Sequence, residues 1–494
     1  MATAVPTVEE LTAQLRTAWP VMTWRPTGDA QRTIVVNHSI SATVTEHWLP
    51  LMPAFEERFL CHLLGLASPG TRIVYVTSMP IHSRLIDYWL GLVPGLDTPE
   101  VRSRLTLVPV VDARRMSLTR KVLDHPGTVR RIREAVVDPR LAVVVGHTVT
   151  EDDVRLAGLL GIPVYGAHPV YAHWGTKTGS REAFAAAGVP TVPGVSGVRD
   201  RGEVREAIEQ LVGADPGLAR VIVKHDEGVS GIGNGTIDLR SGSSDVVDSL
   251  VPEDPGYDVE SFYARLADEG GVVEAFLVAE EVRSPSAQLR TTPDGDVDLF
   301  ATHDQELGGP HGLSYLGCSM PAAPAYAAQV ADQALAVGKF LAAQGMVGRL
   351  SIDFLAARTG DRWTAFGSEI NLRNGGTTHP LATLNSLAGG GYDVSVATYL
   401  DGDGSAKYYR ATDHLTGPRY AALTTDDLLD VLPEHDLGWD PDTRTGTVFH
   451  MASAIGGNGQ VGITAIGDDP ASAAAQFERS RSALDRASTR MSSG

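Results

Sequence analysis

Along roughly the first 170 residues, short apolar runs alternate with stretches whose apolar positions recur at helical spacing. TIVVNHSI, TRIVYVTSMPI, RLTLVPVVD and LAVVVGH have the length and β-branched content of buried strands. TEDDVRLAGLLGIPVYG places Leu156, Leu159 and Leu160 on one helical face, and Gly161 and Pro163 end that helix before another strand. The repetition predicts an α/β layer around a parallel sheet. None of these strands runs into GxGxxG, so the pattern does not support a dinucleotide-binding fold.

The pattern changes near Tyr171. TKTGSREAFAAAGVPTVPGV predicts a short Ala-rich helix with Gly188 at C′, after which Pro190 and Pro193 hold the chain extended. DVESFYARLADEGG predicts a helix capped by Asp258 that turns Val259, Phe262 and Leu266 inward and ends at Gly270 and Gly271, and VVEAFL reads as a strand. Between them, VIVKHDEGVSGIGNG is an apolar strand that reaches Lys224 and then meets Gly228, Gly231, Gly233 and Gly235. TIDLR follows with a strand pattern, so the expectation is a hairpin flap whose amides can approach phosphate oxygens where side chains would clash. Its structural alternative is a plain surface hairpin. A Gly-rich break, LAGGGYD, opens a third region that closes on the amphipathic helix PASAAAQFERSRSALDRAS. The expected division is therefore 1–170, 171–385 and 386–494, without internal repeats.

RLSIDFLAARTGDRWTAFGSEINLRNGG carries the most chemistry. Two alternating runs flank Thr359, Gly360 and Asp361, a hairpin signal. With a three-residue loop, 360–362, Thr359 opposes Trp363 and Asp353 falls opposite Glu369, while Asn371 shares that face. Opposed carboxylates repel unless a cation lies between them, and magnesium takes one or two carboxylates together with substrate oxygens. The alternative is a pair of solvated surface carboxylates in a register slipped by one residue. Arg373 follows on the same face if the strand continues, and its guanidinium suits a phosphoryl group or a carboxylate.

Composition narrows the partners. The chain has 494 residues, 43% hydrophobic and 20% charged, which describes an ordinary folded protein of several domains. Its formal charge of −19 argues against nucleic acid or an anionic membrane as partner, although local lysines and a divalent cation still govern a phosphate site. Cys61 and Cys318 read as reduced thiols, and the sequence has neither an apolar run of about 18 residues nor a secretory leader pattern, so the expected location is the cytoplasm. GxxxxGK[ST], GxSxG and HExxH are all absent. His303, Asp304, Glu306 and His311, in THDQELGGPHG, have no zinc spacing and read as a substrate-facing loop, with an ordinary polar loop next. His225, beside Lys224, reads as incidental.

The order Lys177, Lys224 with its glycine loop, Glu274 in VVEAFL, Glu281, then Asp353, Glu369 and Asn371 closely resembles the ATP-grasp ligases over roughly residues 171–380. The region ahead of it, THDQELGGPHGLSYLGCSMPA, EINLRNGGTTHP and the extra C-terminal region are similar to the peptide ligases of pheganomycin biosynthesis and their relatives. The resemblance implies an N-terminal α/β pre-ATP-grasp domain, a central two-lobed ATP-grasp fold and a smaller C-terminal domain. It also implies that Lys177 and Lys224 contact ATP phosphates with the flap glycines Gly231 and Gly233. Glu274, Ala275, Phe276 and Leu277 would line the adenine pocket, and Glu281 would accept from ribose, with Glu280 as its competitor. Ala275 departs from the common two-acid hinge. Asp353, Glu369 and Asn371 would hold magnesium or manganese, Arg373 would steady an acyl phosphate, and Arg283 and Gln288 would touch the carboxylate substrate. The implied substrates are a small, guanidine-bearing amino acid and a peptide amine, and a homodimer is possible.

Overall fold

The computed structural model describes residues 7–22, 31–40, 51–229, 231–240, 245–254, 256–309 and 312–491; His311 lies outside them. Five strands, β1 (Arg32–Asn37), β2 (Thr71–Thr77), β3 (Leu105–Pro109), β4 (Ala142–Gly146) and β5 (Val164–Tyr165), form an all-parallel sheet ordered β3-β2-β1-β4-β5. Helix Glu151–Leu160 buries Val154, Leu156, Ala157 and Leu160, then stops at Gly161 with φ 71°. This is the α/β layer that the apolar runs predict.

A second, antiparallel sheet contains β6 (Gly194–Val198), β7 (Arg220–Val229), β8 (Ile232–Asp238), β9 (Val251–Pro252) and β10 (Gly271–Ala275), ordered β6-β10-β7-β8-β9. Its core is closed by helix Arg201–Ala214 and by helix Val259–Glu269, whose N-cap Asp258 accepts from the Ser261 amide. The third sheet is the largest. It contains β11 (Glu281–Arg283), β12 (Pro285–Thr291), β13 (Val297–Gly308), β14 (Ser314–Met320), β15 (Gly348–Thr359) and β16 (Arg362–Asn371). Along β12, β15 and β16 the side chains divide by parity. Ala287, Leu289, Leu350, Ile352, Phe354 and Ile370 pack toward helix Pro324–Ala343, and the opposite face is polar.

From 386 onward, the strands β17 (Gly391–Asp393), β18 (Thr398–Leu400), β19 (Ala406–Thr416), β20 (Gly446–His450) and β21 (Gln460–Gly467) extend this same sheet, because β19 pairs with β14 and β21. Their other face shares a core with the first layer: Leu60, Tyr75 and Trp89 pack with Leu428, Phe449, Ile463 and Phe477. Within that contact Arg58 Nη1 meets Asp413 Oδ2 at 2.8 Å, both side chains under 10% exposed. Burial alone would raise the Asp413 pKa, but His414 and Arg58 hold it well below the carboxylate range. Asp413→Ala would strand a buried guanidinium and is expected to cost about 3–5 kcal/mol. A thermal melt unchanged from wild type would contradict that expectation.

Two expectations change here. Residues 302–308 are not a loop: they continue β13, where His303 is a core residue with Nε2 2.6 Å from Tyr409 Oη, Asp304 accepts from the Ala323 amide and Tyr326, and Glu306 grips Arg410. The strand β16 ends at Asn371, so Arg373 does not lie on it.

Candidate functional site

The loop of the carboxylate hairpin has two residues, Gly360 and Asp361, not three, with Gly360 at φ 58°. Thr359 therefore faces Arg362. A bulge at Ser368 then shifts the register by one, and Asp353 does oppose Glu369. Asn371 Nδ2 donates to Asp353 Oδ2 at 3.0 Å, and Gln305 Nε2, from β13, donates to Asp353 Oδ1 at 2.7 Å. Burial and then the facing Glu369 carboxylate push Asp353 up to about 7.

Lys177, the first residue of helix Lys177–Ala186, reaches this pair: its Nζ lies 2.6 Å from Glu369 Oε1 and 2.9 Å from the Gly228 carbonyl oxygen of the flap. The flap is the β7–β8 hairpin, with Gly231 at φ 87° and Gly233 at φ 91°, backbone shapes that suit glycine. Beneath it Lys224 Nζ sits 2.6 Å from Glu274 Oε2, and Arg181 Nη1 holds Glu274 Oε1 at 2.8 Å. Burial opposes ionisation of Glu274, but Lys224 and Arg181 outweigh it and lower its pKa. Lys177 thus meets the carboxylate pair and the flap carbonyl, and Lys224 meets Glu274.

Ala275 ends β10, and Phe276 follows it, with Arg220 stacked 4.9 Å from its ring and its amide bonded to the Arg220 carbonyl; Leu277 is half-buried next in the chain. Glu280 accepts from Arg358 and the Gly360 amide, while Glu281 is held by Arg283 at 2.6 Å and Arg358 at 3.2 Å. Arg283 is 59% exposed and lies with Glu281 instead of with the carboxylate pair. Gln288 is buried, donating to Thr377 at 2.6 Å. His225 is a neutral core group, its pKa lowered to about 4 by burial and its Nε2 3.0 Å from the Phe262 carbonyl. Arg373 has no carboxylate within ion-pair distance among the described residues, yet Glu369 and then Asp353 are the charges that most counter the burial of its guanidinium.

The donor set suits magnesium: two opposed carboxylates and a neighbouring amide side chain, all oxygen-bearing. Without a cation the arrangement has a pH cost whose sign is fixed. Asp353 keeps its proton in the fold well above its ordinary 3.8, so stability falls as pH rises from about 4 through about 7. Glu56 and Glu57, each raised to about 7 by burial, add slopes of the same sign. In EDTA, Asp353→Asn is therefore expected to melt higher than wild type at pH 8, with the difference shrinking toward pH 5. A pH-independent difference would refute that assignment.

A glycine flap on a small antiparallel sheet, with a lysine of that sheet beneath it and another from a helix start facing carboxylates on a larger sheet, defines the ATP-grasp class. The IQCH-like ATP-grasp family model matches residues 256–364, and that of the PGM1 C-terminal domain matches 427–481. L-propargylglycine–L-glutamate ligase of Streptantibioticus cattleyicolor is 33% identical over 448 residues, spanning 88% of this chain and 90% of its own length. IQ motif-containing protein H of Danio rerio is 24% identical over 387 residues, 67% of this chain and 36% of its own length. The ADP complex of N5-carboxyaminoimidazole ribonucleotide synthetase shares the fold at TM-score 0.54 and 12% identity, with 94% and 99% of the two chains covered. Biotin carboxylase from Campylobacter jejuni does so at 0.55 and 13%, with 93% and 95% covered. The chain belongs to the ATP-grasp carboxylate–amine ligases, the family of the L-propargylglycine–L-glutamate enzyme.

Two residues of the site, Arg181 and Gln305, are absent from the sequence expectations. Arg181 stands four residues after Lys177 and shares its helical face, a spacing that could have marked it. Gln305 carried no such signal, since its contact with Asp353 spans 48 positions.

Proposed function

We propose that the protein forms an amide between the carboxylate of a small amino acid and the amine of a peptide or second amino acid, cleaving ATP to ADP and phosphate through an acyl phosphate. The single observation that carries this is Asp353 opposite Glu369 with Lys177 2.6 Å from Glu369. Phosphoryl transfer asks the protein mainly for position and charge compensation, and this arrangement is suited to both.

In this reading Asp353, Glu369 and Asn371 hold magnesium, with manganese an acceptable substitute. The metal neutralises phosphate charge when bound. Lys177 and Lys224 leave their carboxylates for phosphate oxygens, and Gly231 and Gly233 let the flap backbone close over them. The segment from Glu274 through Ala275, Phe276 and Leu277 borders the adenine, and Glu281 accepts from ribose, Glu280 being tied to the Gly360 turn. Arg373 steadies the acyl phosphate, while Arg283 and Gln288 approach the acid from the β11–β12 side. The amine then displaces phosphate. No covalent bond to the protein is needed.

The resemblance favours a guanidine-bearing nonproteinogenic acid and a peptide amine, in peptide natural-product biosynthesis; the relative's printed name favours a second amino acid as amine. A cytoplasmic site of action belongs to the same proposal, and no described helix is long and apolar enough to cross a membrane. So does a homodimer, the form named for the 2-oxoglutarate carboxylase biotin carboxylase domain from Hydrogenobacter thermophilus. We also retain the three-part division 1–170, 171–385 and 386–494, the last part sharing the sheet of the second.

The test mixes the protein with ATP, magnesium and amino acids, including guanidine-bearing ones, against peptides and amino acids, with products read by mass spectrometry. A new amide with one ADP per bond is expected. AMP in place of ADP would exclude the acyl-phosphate route.

A further inference from the structure

The polar face of the large sheet is built in rungs. Ser286, Asp353 and Glu369 form one, Gln288, Ser351 and Asn371 the next, and Arg290 lies opposite Arg349 in the third. Four residues along β15 separate Asp353 from Arg349, or about 13 Å at ~3.3 Å per residue. The two arginines are cross-strand neighbours of like charge, an arrangement that destabilises a sheet. Arg290 is answered by Asp298 at 2.6 Å. Arg349 is not: its guanidinium stacks 4.7 Å from Phe300 and has no carboxylate within ion-pair distance among the described residues.

This rung forms one wall of a cavity of about 110 Å³ between the parallel sheet and the large sheet. Gly348, at φ 144°, permits the closure, since a Cβ there would stand 2.7 Å from the Ala167 amide nitrogen. The apolar side chains of Leu15, Ile34, Val143 and Val145 line the cavity together with Arg349, and so do Arg373 and Asn374. Tyr165 also lines the cavity, and its Oη is buried with no hydrogen-bond partner among the described residues. A desolvated guanidinium with no counter-ion and an orphaned hydroxyl in the same cavity are costly unless a ligand completes them. Burial lowers the Arg349 pKa, with Arg290 adding to the effect, although the group stays charged.

We propose that this cavity binds the carboxylate of a substrate that does not react, with Arg349 as its counter-ion, Tyr165 as a second donor and the apolar wall against a short aliphatic body. The proposal rests on the ligase reading and deepens it. The acid phosphorylated beside Asp353 and Glu369 is then either a dicarboxylic amino acid anchored by its second carboxylate, or its amine partner is an amino acid anchored by its own. The chemistry at Arg349 is the same in both cases.

The test is equilibrium binding to the full chain with Mg·ADP present, so it does not depend on turnover. The probes are L-glutamate with its α-carboxamide, L-isoglutamine, and its side-chain amide, L-glutamine, and L-norvaline with L-norvalinamide. The expected result is that the free acid of one pair binds roughly ten- to hundredfold more tightly than its amide, as loss of a charged hydrogen-bonded pair implies. The glutamate pair showing the effect would place the anchor on the activated acid, and the norvaline pair would place it on the amine partner. Arg349→Gln should erase the difference, Arg349→Lys should restore part of it, and Mg·ADP affinity should hold in both. With no ligand, Arg349→Gln should melt at or above the wild-type temperature, because it removes a half-buried charge that faces Arg290 without a carboxylate partner among the described residues, whereas loss of a purely structural arginine would lower it. Tyr165→Phe should weaken the acid and spare the amide. Every amide binding as well as its acid, a difference that survives Arg349→Gln, or no binding by any of the probes would overturn the proposal. Failure of the ligase reading would show separately, as absent amide product despite carboxylate-dependent binding.

Discussion

Glu369→Gln is expected to reduce ADP formation by ~10²–10³, as loss of one preorganised charged group at a phosphoryl-transfer centre typically does. The substitution keeps the shape and one acceptor oxygen of the side chain. It removes the charge that Lys177 now meets at 2.6 Å and that opposes Asp353 across the hairpin. Relief of the repulsion with Asp353 and loss of the partner of the buried Lys177 ammonium act in opposite directions, so in EDTA at pH 8 the variant is expected to stay folded, which a melt read beside the activity checks. Raising magnesium should recover little of the turnover, because an amide oxygen replaces a carboxylate and carries no net charge. Asp353→Asn should behave alike, and the double variant should lose far less than the product of the single losses, since both act through one ion. Near-normal turnover in either single variant would remove the pair from the centre.

Why this pair was legible in the sequence while its neighbours were not follows from range. Asp353 and Glu369 belong to one hairpin, so alternation and a turn signal suffice to bring them together. The loop length was nonetheless misread. A two-residue turn shifts the register by one, and the bulge at Ser368 shifts it back, so the correct pairing came through two errors that cancel. The bulge leaves no trace in the alternation because it falls on Ser368, directly after Gly367. The segment 302–308 failed for another reason: its two faces carry His303, Gln305 and Asp304, Glu306, so no apolar face announces a strand, although each side chain finds a partner from another element. The rung of Arg290 and Arg349 depends on β12 pairing with β15, about sixty residues apart, and no local pattern specifies such a pairing. The parallel sheet, in contrast, was plain from its run of buried strands.

Lys224→Ala is expected to lower turnover by ~10²–10³ and to weaken nucleotide binding, and Arg181→Ala is the control that gives the result its meaning. Both residues hold the same buried carboxylate, Lys224 at Glu274 Oε2 and Arg181 at Glu274 Oε1. Deleting either leaves Glu274 with one cation, so both variants should lose similar stability, on the order of 1–3 kcal/mol. Their catalytic losses should differ. Lys224 stands on β7 directly before the flap, where its ammonium can exchange Glu274 for phosphate, whereas Arg181 is held by two further acceptors, Nη1 donating also to the Val192 carbonyl at 3.1 Å and Nη2 to the Gly194 carbonyl at 3.3 Å. If the two variants lost turnover equally, the effect of Lys224 would run through Glu274 and the hinge, and its assignment to the phosphates would fail. If Lys224→Ala alone lost turnover at matched stability, the ammonium itself would be the group the chemistry uses.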